Sequence, residues 1–144
     1  MKKRTMKPIF ALMLLASTLI FMAMSYSKED QAVPNPQAPQ TLQTISPVQA
    51  QSLIQQRPDL LILDVRTPPE LKEGFIEGSE LYDFWTVVKG NHTLPRNRPI
   101  LLVCAVGGRS YFAGTMLKKA GYAEVYNLSG GIAAWKEKGL LLQY

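Results

Sequence analysis

One thiol lies close to an arginine in a glycine-containing segment of the chain. Cys104 is the only cysteine among the 144 residues, and it follows the apolar run Ile100 to Val103. The residues after it are Ala105, Val106, Gly107, Gly108, Arg109 and Ser110. A thiol before a short turn of this composition has the residue types of a nucleophile held in an anion-binding loop. Segment 104–110 is therefore the first candidate for chemistry.

The residues of this segment predict how such a loop would work. Gly107 and Gly108 permit positive φ, so that successive N–H groups can point into one concavity. A helix beginning near Ser110 would add the positive end of its dipole and lower the pKa of the thiol. Arg109 offers a planar fork of donors to an oxyanion, and Ser110 can cap the helix or donate to a bound sulfur. The alternative is a buried cysteine that ends a strand before an ordinary turn.

Two reactions fit a cysteine in an anion cradle. The thiolate either attacks phosphorus while the loop holds a phosphate, or accepts a sulfur atom while the loop holds a persulfide. The loops of tyrosine phosphatases and arsenate reductases place five residues between cysteine and arginine, whereas this chain places four there. The smaller loop favours a single terminal sulfur over a tetrahedral phosphate.

The surrounding sequence predicts a parallel α/β sheet that brings Cys104 to its working edge. Apolar runs typical of buried strands occur near 60–63, 100–103 and 125–128, and a further strand is expected over 80–84. Helices are expected over 46–56, from Thr67, over 85–89, over 110–120 with Phe112 on the buried face, and over 132–138. Alternating strands and helices indicate a sheet covered on both faces, with the site beyond the carboxyl ends of the strands.

The amino-terminal residues predict an address outside the cytoplasm. Four basic residues precede an apolar run from Pro8 to Met24, a pattern typical of a signal peptide over 1–25 with cleavage before Tyr26. An uncleaved membrane anchor is the alternative. Residues 26–41 are rich in proline and glutamine and predict a linker, so the folded domain is expected over 42–144. We expect a periplasmic protein, tethered to the membrane only if residues 1–25 remain.

Net charge excludes one large class of partner. The formal charge of +5 includes the four basic residues of the first segment, so residues 26–144 carry 12 basic and 11 acidic residues. A charge balance this close to neutral gives no basic field for nucleic acid. We therefore expect no nucleic-acid partner. Separately, we expect a monomer.

Taken together, the motifs resemble those of single-domain rhodaneses, the sulfurtransferase family. The resemblance covers about residues 45–140 and rests on six segments in the family's order, which are 45–47, 63–66 with Glu70, 74–79, 104–110, 121–122, and 128–135 before Gly139. It implies a three-layer fold whose five-stranded parallel sheet is flanked by helices. It also implies that Cys104 takes sulfane sulfur from a donor such as thiosulfate, holds it as a persulfide within residues 105–110, and passes it to a thiol or cyanide. No cofactor is implied. The alternative within this fold is a non-catalytic module that carries sulfur or binds a partner, and a cysteine-dependent phosphatase is the third choice.

The remaining candidates have structural interpretations. Asp64, at the end of a strand, is predicted either to hydrogen-bond and orient the active loop or to cap the following turn. Arg66 and Glu70 are expected to form a structural ion pair. His92, the only histidine, is expected in a solvated loop, and no cluster of histidines and carboxylates predicts a metal. Trp85 and Trp135 are expected to pack in the core or on the surface.

Overall fold

A computed structural model describes residues 41–144 of the protein. The predicted segment 1–25, and the predicted linker 26–41 apart from Thr41, lie outside the described residues. Within 41–144 no helix combines the length and the apolar character needed to cross a membrane.

Five parallel strands form the centre of the described domain. They are β1 (Gln43–Ile45), β2 (Leu61–Asp64), β3 (Ser79–Leu81), β4 (Ile100–Val103) and β5 (Val125–Leu128), in the spatial order β1-β5-β4-β2-β3. Strands β2 and β4 are buried at every position because helices cover both faces of the sheet. The register sets Asp64 opposite Val103, so β2 and β4 end side by side.

Five helices alternate with the strands, and the last of them follows β5. They are α1 (Pro47–Gln56), α2 (Pro68–Leu71), α3 (Phe84–Val88), α4 (Gly108–Lys119) and α5 (Gly131–Glu137). Helices α1 and α2 each begin with a proline after a capping box, made by Ser46 with Gln49 and by Thr67 with Glu70. Helix α4 ends with two lysines and then Gly121 at φ 88°.

Alternate residues of the central strands point into two separate cores. One core holds Leu63, Leu102 and Cys104 against Val87 of α3 and Leu117 of α4. The other holds Ile62, Leu101 and Val103 against Ala50 of α1 and Trp135 of α5. The predicted three-layer α/β fold, a five-stranded parallel sheet with helices on both faces, is therefore confirmed.

Three local predictions differ from the structure. The third strand covers only 79–81 instead of 80–84, because Asp83 accepts the N–H of Thr86 at 2.6 Å and starts α3 at Phe84. Helix α4 begins at Gly108 and not at Ser110, because Gly107 at φ 90° completes a tighter turn. Phe112 was predicted on the buried face, but it is 48% exposed and packs beside Phe84 at the edge of the contact between α4 and α3.

Candidate active site

Cys104 lies directly after β4 and beneath a short loop. Cys104 is 1% exposed and its side chain belongs to one of the two cores, so the sulfur lies at the bottom of the site, away from solvent. Only Ala105, Val106 and Gly107 separate it from the first residue of α4. The parallel sheet therefore places the thiol at its carboxyl edge, next to the positive end of a twelve-residue helix.

Gly107 shapes the loop and donates to the sulfur. It has φ 90°, and its N–H donates to Sγ of Cys104 at 3.1 Å. A Cβ at this position would lie 3.1 Å from the carbonyl oxygen of Leu128, which leaves little space for any other residue. Gly108 has no positive φ and is part of the helix, so only one of the two glycines acts as predicted.

Ser110 contacts the sulfur from within α4. Its hydroxyl lies 3.3 Å from Sγ of Cys104, 2.7 Å from Oδ1 of Asn127 and 3.1 Å from the carbonyl oxygen of Gly107. A hydroxyl has one hydrogen to donate, so these three acceptors compete for it. Of the two predicted roles, the structure assigns contact with the sulfur, because Gly107 and not Ser110 is the N-cap of α4.

Asn127 is a site residue that the sequence reasoning missed. It is 3% exposed in β5, where its Oδ1 is one of the three acceptors for the Ser110 hydroxyl, and its amide nitrogen donates to Oγ1 of Thr44 at 3.4 Å. A buried amide must find partners. The available signal was an asparagine within the otherwise apolar and aromatic strand Val125–Leu128.

Two effects of opposite sign act on the pKa of the Cys104 thiol. Burial raises the pKa of the thiol. The Ser110 hydroxyl and the backbone N–H groups of Ser110, Val106 and Gly107 lower it by more, so the pKa of Cys104 lies below that of an ordinary thiol. The site therefore favours the thiolate, which is the nucleophilic form.

Helix α5 holds the loop through two backbone hydrogen bonds. The N–H of Ile132 donates to the carbonyl of Cys104 at 2.9 Å, and that of Ala133 donates to the carbonyl of Ala105 at 3.0 Å. A Cβ on Gly131, which has φ 58°, would lie 2.2 Å from the Cys104 carbonyl oxygen. The glycine lets α5 bind these two carbonyls and leaves N–H groups of the loop directed at the sulfur.

Arg109 is paired with a carboxylate from another helix. Its Nη1 donates to Oε2 of Glu70 at 3.1 Å, and its Nη2 donates to Oε1 of the same side chain. The hydrogen bonds with Arg109 contribute most to lowering the pKa of Glu70 to about 2, and the same pairing raises the pKa of Arg109. The predicted ion pair between Arg66 and Glu70 is therefore wrong.

Arg66 instead pairs with Asp64, and both side chains are buried. Asp64 accepts from the Nε, Nη2 and backbone N–H of Arg66, while the guanidinium also donates to the carbonyls of Glu70 and Gly74. In the described part of the chain, the hydrogen bonds that the Asp64 carboxylate accepts come from Arg66 and not from residues 105–110. Of the two roles predicted for Asp64, the structure shows stabilisation of the turn after β2 and not a hydrogen bond from its carboxylate to the active loop.

Two depressions open beside the loop. One, of about 550 Å³, is lined by Leu81, Phe84, Trp85 and Arg109 among others. The other, of about 330 Å³, is lined by Ala105 and Val106 of the loop together with Glu70, Glu73 and Lys136. Arg66 borders both. The second depression therefore gives a small molecule access to the loop between residues of α2 and α5.

The remaining candidates lie in packing environments. His92 is half-buried and contacts the hydroxyl of Tyr122 through Nδ1 at 3.2 Å, so it is less solvated than predicted. Trp135 is buried and donates to the carbonyl of Leu141, whereas Trp85 is 60% exposed beside Phe84. Residues 41–144 contain no group of three or more histidine, cysteine or carboxylate side chains arranged to hold a metal ion.

Comparison with known proteins places this geometry in a family. The model of the rhodanese-like domain matches residues 46–138. A sulfurtransferase of Allochromatium vinosum is 37% identical over 82 residues, which are 57% of this chain and 77% of that protein. The thiosulfate sulfurtransferase GlpE of Pseudoalteromonas translucida is 32% identical over 78 residues, which are 54% of this chain and 74% of that protein.

Longer relatives and a solved structure agree with the match. The chain spans only 25% to 35% of several other curated relatives. The crystal structure of a rhodanese-related protein from Thermoplasma volcanium superimposes with a TM-score of 0.62 at 29% identity, over 70% of this chain and 97% of that one. A buried cysteine beneath a loop of backbone donors, in a domain matched over residues 46–138, establishes that this chain belongs to the rhodanese family, whose sulfurtransferases are among its relatives.

Proposed function

We propose that the protein is a rhodanese-type thiosulfate sulfurtransferase that works through a persulfide on Cys104. The observation that carries the proposal is the position of the sulfur, 3.1 Å from the N–H of Gly107 and 3.3 Å from the hydroxyl of Ser110. These donors stabilise a negative charge on sulfur. The same donors can turn toward the terminal sulfur of a persulfide, because that atom would extend from Sγ into the loop.

The first half-reaction loads the enzyme. The Cys104 thiolate attacks the outer sulfur of thiosulfate, a new sulfur–sulfur bond forms, and the old bond breaks with its electron pair leaving on sulfite. The persulfide anion keeps the charge of the thiolate, so no proton or outside oxidant is required. Lowering of the Cys104 pKa by Ser110 and the loop N–H groups increases the fraction of the attacking group that is ionised.

The second half-reaction unloads it. A nucleophilic acceptor such as cyanide attacks the terminal sulfur, thiocyanate leaves, and the electron pair of the broken bond returns to Cys104 as a thiolate. With a thiol acceptor the product is a persulfide of that acceptor. The cycle needs no group beyond the described site.

Intact-mass spectrometry tests the proposal. After incubation with thiosulfate and removal of small molecules, the protein should gain one sulfur atom, and cyanide should remove it with formation of thiocyanate. Cys104→Ala should gain nothing. A wild-type protein that does not gain sulfur contradicts the proposal. A protein that gains sulfur but never completes repeated turnovers would instead be the non-catalytic carrier.

We also propose that this chemistry takes place outside the cytoplasm, in the periplasm. Support comes from the basic residues and apolar run within residues 1–25. Amino-terminal sequencing of the exported protein should find Tyr26 first. Protein found only in the cytoplasm would overturn the proposal.

A further inference from the structure

We propose that Glu70 is a specificity-determining residue that disfavours dianionic sulfur donors relative to donors with one negative charge. The inference rests on the proposed function and deepens it by naming the charge class of donor that the same site prefers. Its basis is the ion pair between Glu70 and the only charged side chain of the loop 104–110.

The first step concerns the occupancy of Arg109. Both terminal nitrogens of its guanidinium face the two carboxylate oxygens of Glu70. A planar fork used in this way must leave Glu70 before it can bind a second anion through both nitrogens. The positive charge of Arg109 is therefore already balanced by Glu70 before a donor binds.

The second step concerns the immobility of Glu70. Its Oε2 also accepts from the backbone N–H of Thr67 at 2.9 Å and from the Thr67 hydroxyl at 2.7 Å. These bonds form the capping box that starts α2, so moving the carboxylate would remove the cap of that helix. Arg109 can move away toward a donor, but Glu70 and its charge remain.

The third step places that charge near the path of the donor. Glu70 lines the same depression of about 330 Å³ as Ala105 and Val106 of the loop. A donor entering there meets a fixed carboxylate. Thiosulfate, with two negative charges, is repelled more strongly than a donor of similar chemistry with one charge.

Two donors provide the matched comparison. Thiosulfate releases sulfite and methanethiosulfonate releases methanesulfinate, and each gives up its terminal sulfur to the Cys104 thiolate in the same bond exchange. The ratio of their kcat/KM values for loading Cys104, measured by rapid quench and intact mass, reports the charge preference independently of the thiolate.

Glu70→Gln should raise the thiosulfate-to-methanethiosulfonate ratio by roughly threefold to tenfold, mainly by lowering KM for thiosulfate. Glutamine can still accept from Thr67, so the capping box is retained. Glu70→Asp, which keeps the charge, should leave the ratio low. Glu77→Gln removes an equal charge from an exposed side chain and should leave the ratio unchanged.

The outcomes separate this inference from the function on which it depends. Loading from both donors with a ratio that Glu70→Gln leaves unchanged or lowers would overturn the inference alone, since Glu70 would then only brace Arg109. Loss of kcat for both donors alike would do the same. Failure of the unaltered protein to load from either donor would overturn the proposed function and this inference with it.

Discussion

Strands β2 and β4 end side by side, yet the turns that follow them differ in what they do with their polar groups. After β2, the buried pair of Asp64 and Arg66 satisfies itself and ties two backbone carbonyls into the same network. After β4, Cys104 is approached by donors that belong to the loop and to α4. The first strand end uses its polar groups to hold the fold, and the second leaves one reactive atom available to a substrate.

The two arginines show the same contrast. Arg66 is 4% exposed with its carboxylate partner two residues away, whereas the side chain of Arg109 is 37% exposed and pairs with a carboxylate from another helix. A buried pair that loses one member leaves an uncompensated charge, but an exposed pair contributes little to stability. Substitutions at the two strand ends should therefore differ in their effects on unfolding and on sulfur transfer.

Arg66→Ala should have the largest effect on the folded state. It leaves the Asp64 carboxylate buried without its cation, which is expected to lower the free energy of unfolding by about 3–5 kcal/mol. Urea denaturation followed by tryptophan fluorescence measures this loss. Arg57→Ala is the control, because it breaks two pairs, with Asp59 and with Glu124, at an arginine side chain that is 37% exposed, and it should lose about 1 kcal/mol or less. Equal losses in the two variants would remove the distinction between buried and exposed pairs.

Gly131→Ala tests whether the hydrogen bonds from α5 hold Cys104 and its loop in place. Positive φ and a Cβ 2.2 Å from the Cys104 carbonyl should together cost about 3 kcal/mol of unfolding free energy and slow the loading of Cys104. Gly78→Ala is the matched control, because it has φ 78° with open space around the new methyl group. This variant should lose only about 1–2 kcal/mol, which is the cost of placing alanine at a positive φ without any close contact of the new methyl group. Similar losses at both positions would show that the contact between α5 and the loop is unimportant.

Ser110→Ala should affect both stability and reactivity moderately. It removes the donor nearest to Asn127 Oδ1, which should cost about 1–2 kcal/mol. It also removes the largest of the contributions that lower the pKa of Cys104, so that pKa should rise. The midpoint of iodoacetamide alkylation against pH should then move upward, with slower alkylation at neutral pH. An unchanged midpoint would show that the backbone N–H groups alone set the thiolate population.

Arg109→Ala should have the smallest effect on unfolding, about 1 kcal/mol or less, because the pair is partly solvated. Thiosulfate loading should nevertheless fall by about tenfold to a hundredfold, as expected when a charged hydrogen bond to an anion is lost. Transfer from a preloaded persulfide to cyanide should fall less. Rates of the two half-reactions, measured separately, test this difference. Equal losses in both would show that Arg109 stabilises the loop and does not bind the donor.

The sequence predicted those features that depend on neighbouring residues. Ser46 with Gln49 and Thr67 with Glu70 are three residues apart, so the side-chain chemistry of each capping box is local. The buried strands and the position of Cys104 at a strand end likewise follow from short apolar runs. The thiol's place in the fold was thus predictable before any contact between distant residues was known.

Features that depend on distant partners were not predictable in this way. Arg66 has two carboxylates within four residues, and only the folded turn decides that it takes Asp64 and leaves Glu70 to Arg109. Asn127 joins the site because β5 lies beside β4, which its own strand does not reveal. Phe112 follows the helical pattern of a core residue, but it lies at the rim where α4 meets α3.

The burial of Cys104 has a consequence for oxidation. A disulfide requires the Cα atoms of its two cysteines to lie about 4.4–6.8 Å apart. A sulfur that is 1% exposed beneath its own loop cannot be approached that closely by the backbone of a second folded copy, and the chain has no other cysteine. Oxidants therefore cannot link two folded molecules through this thiol, and the reagents that reach it are those small enough to enter the loop, as we propose for a sulfur donor.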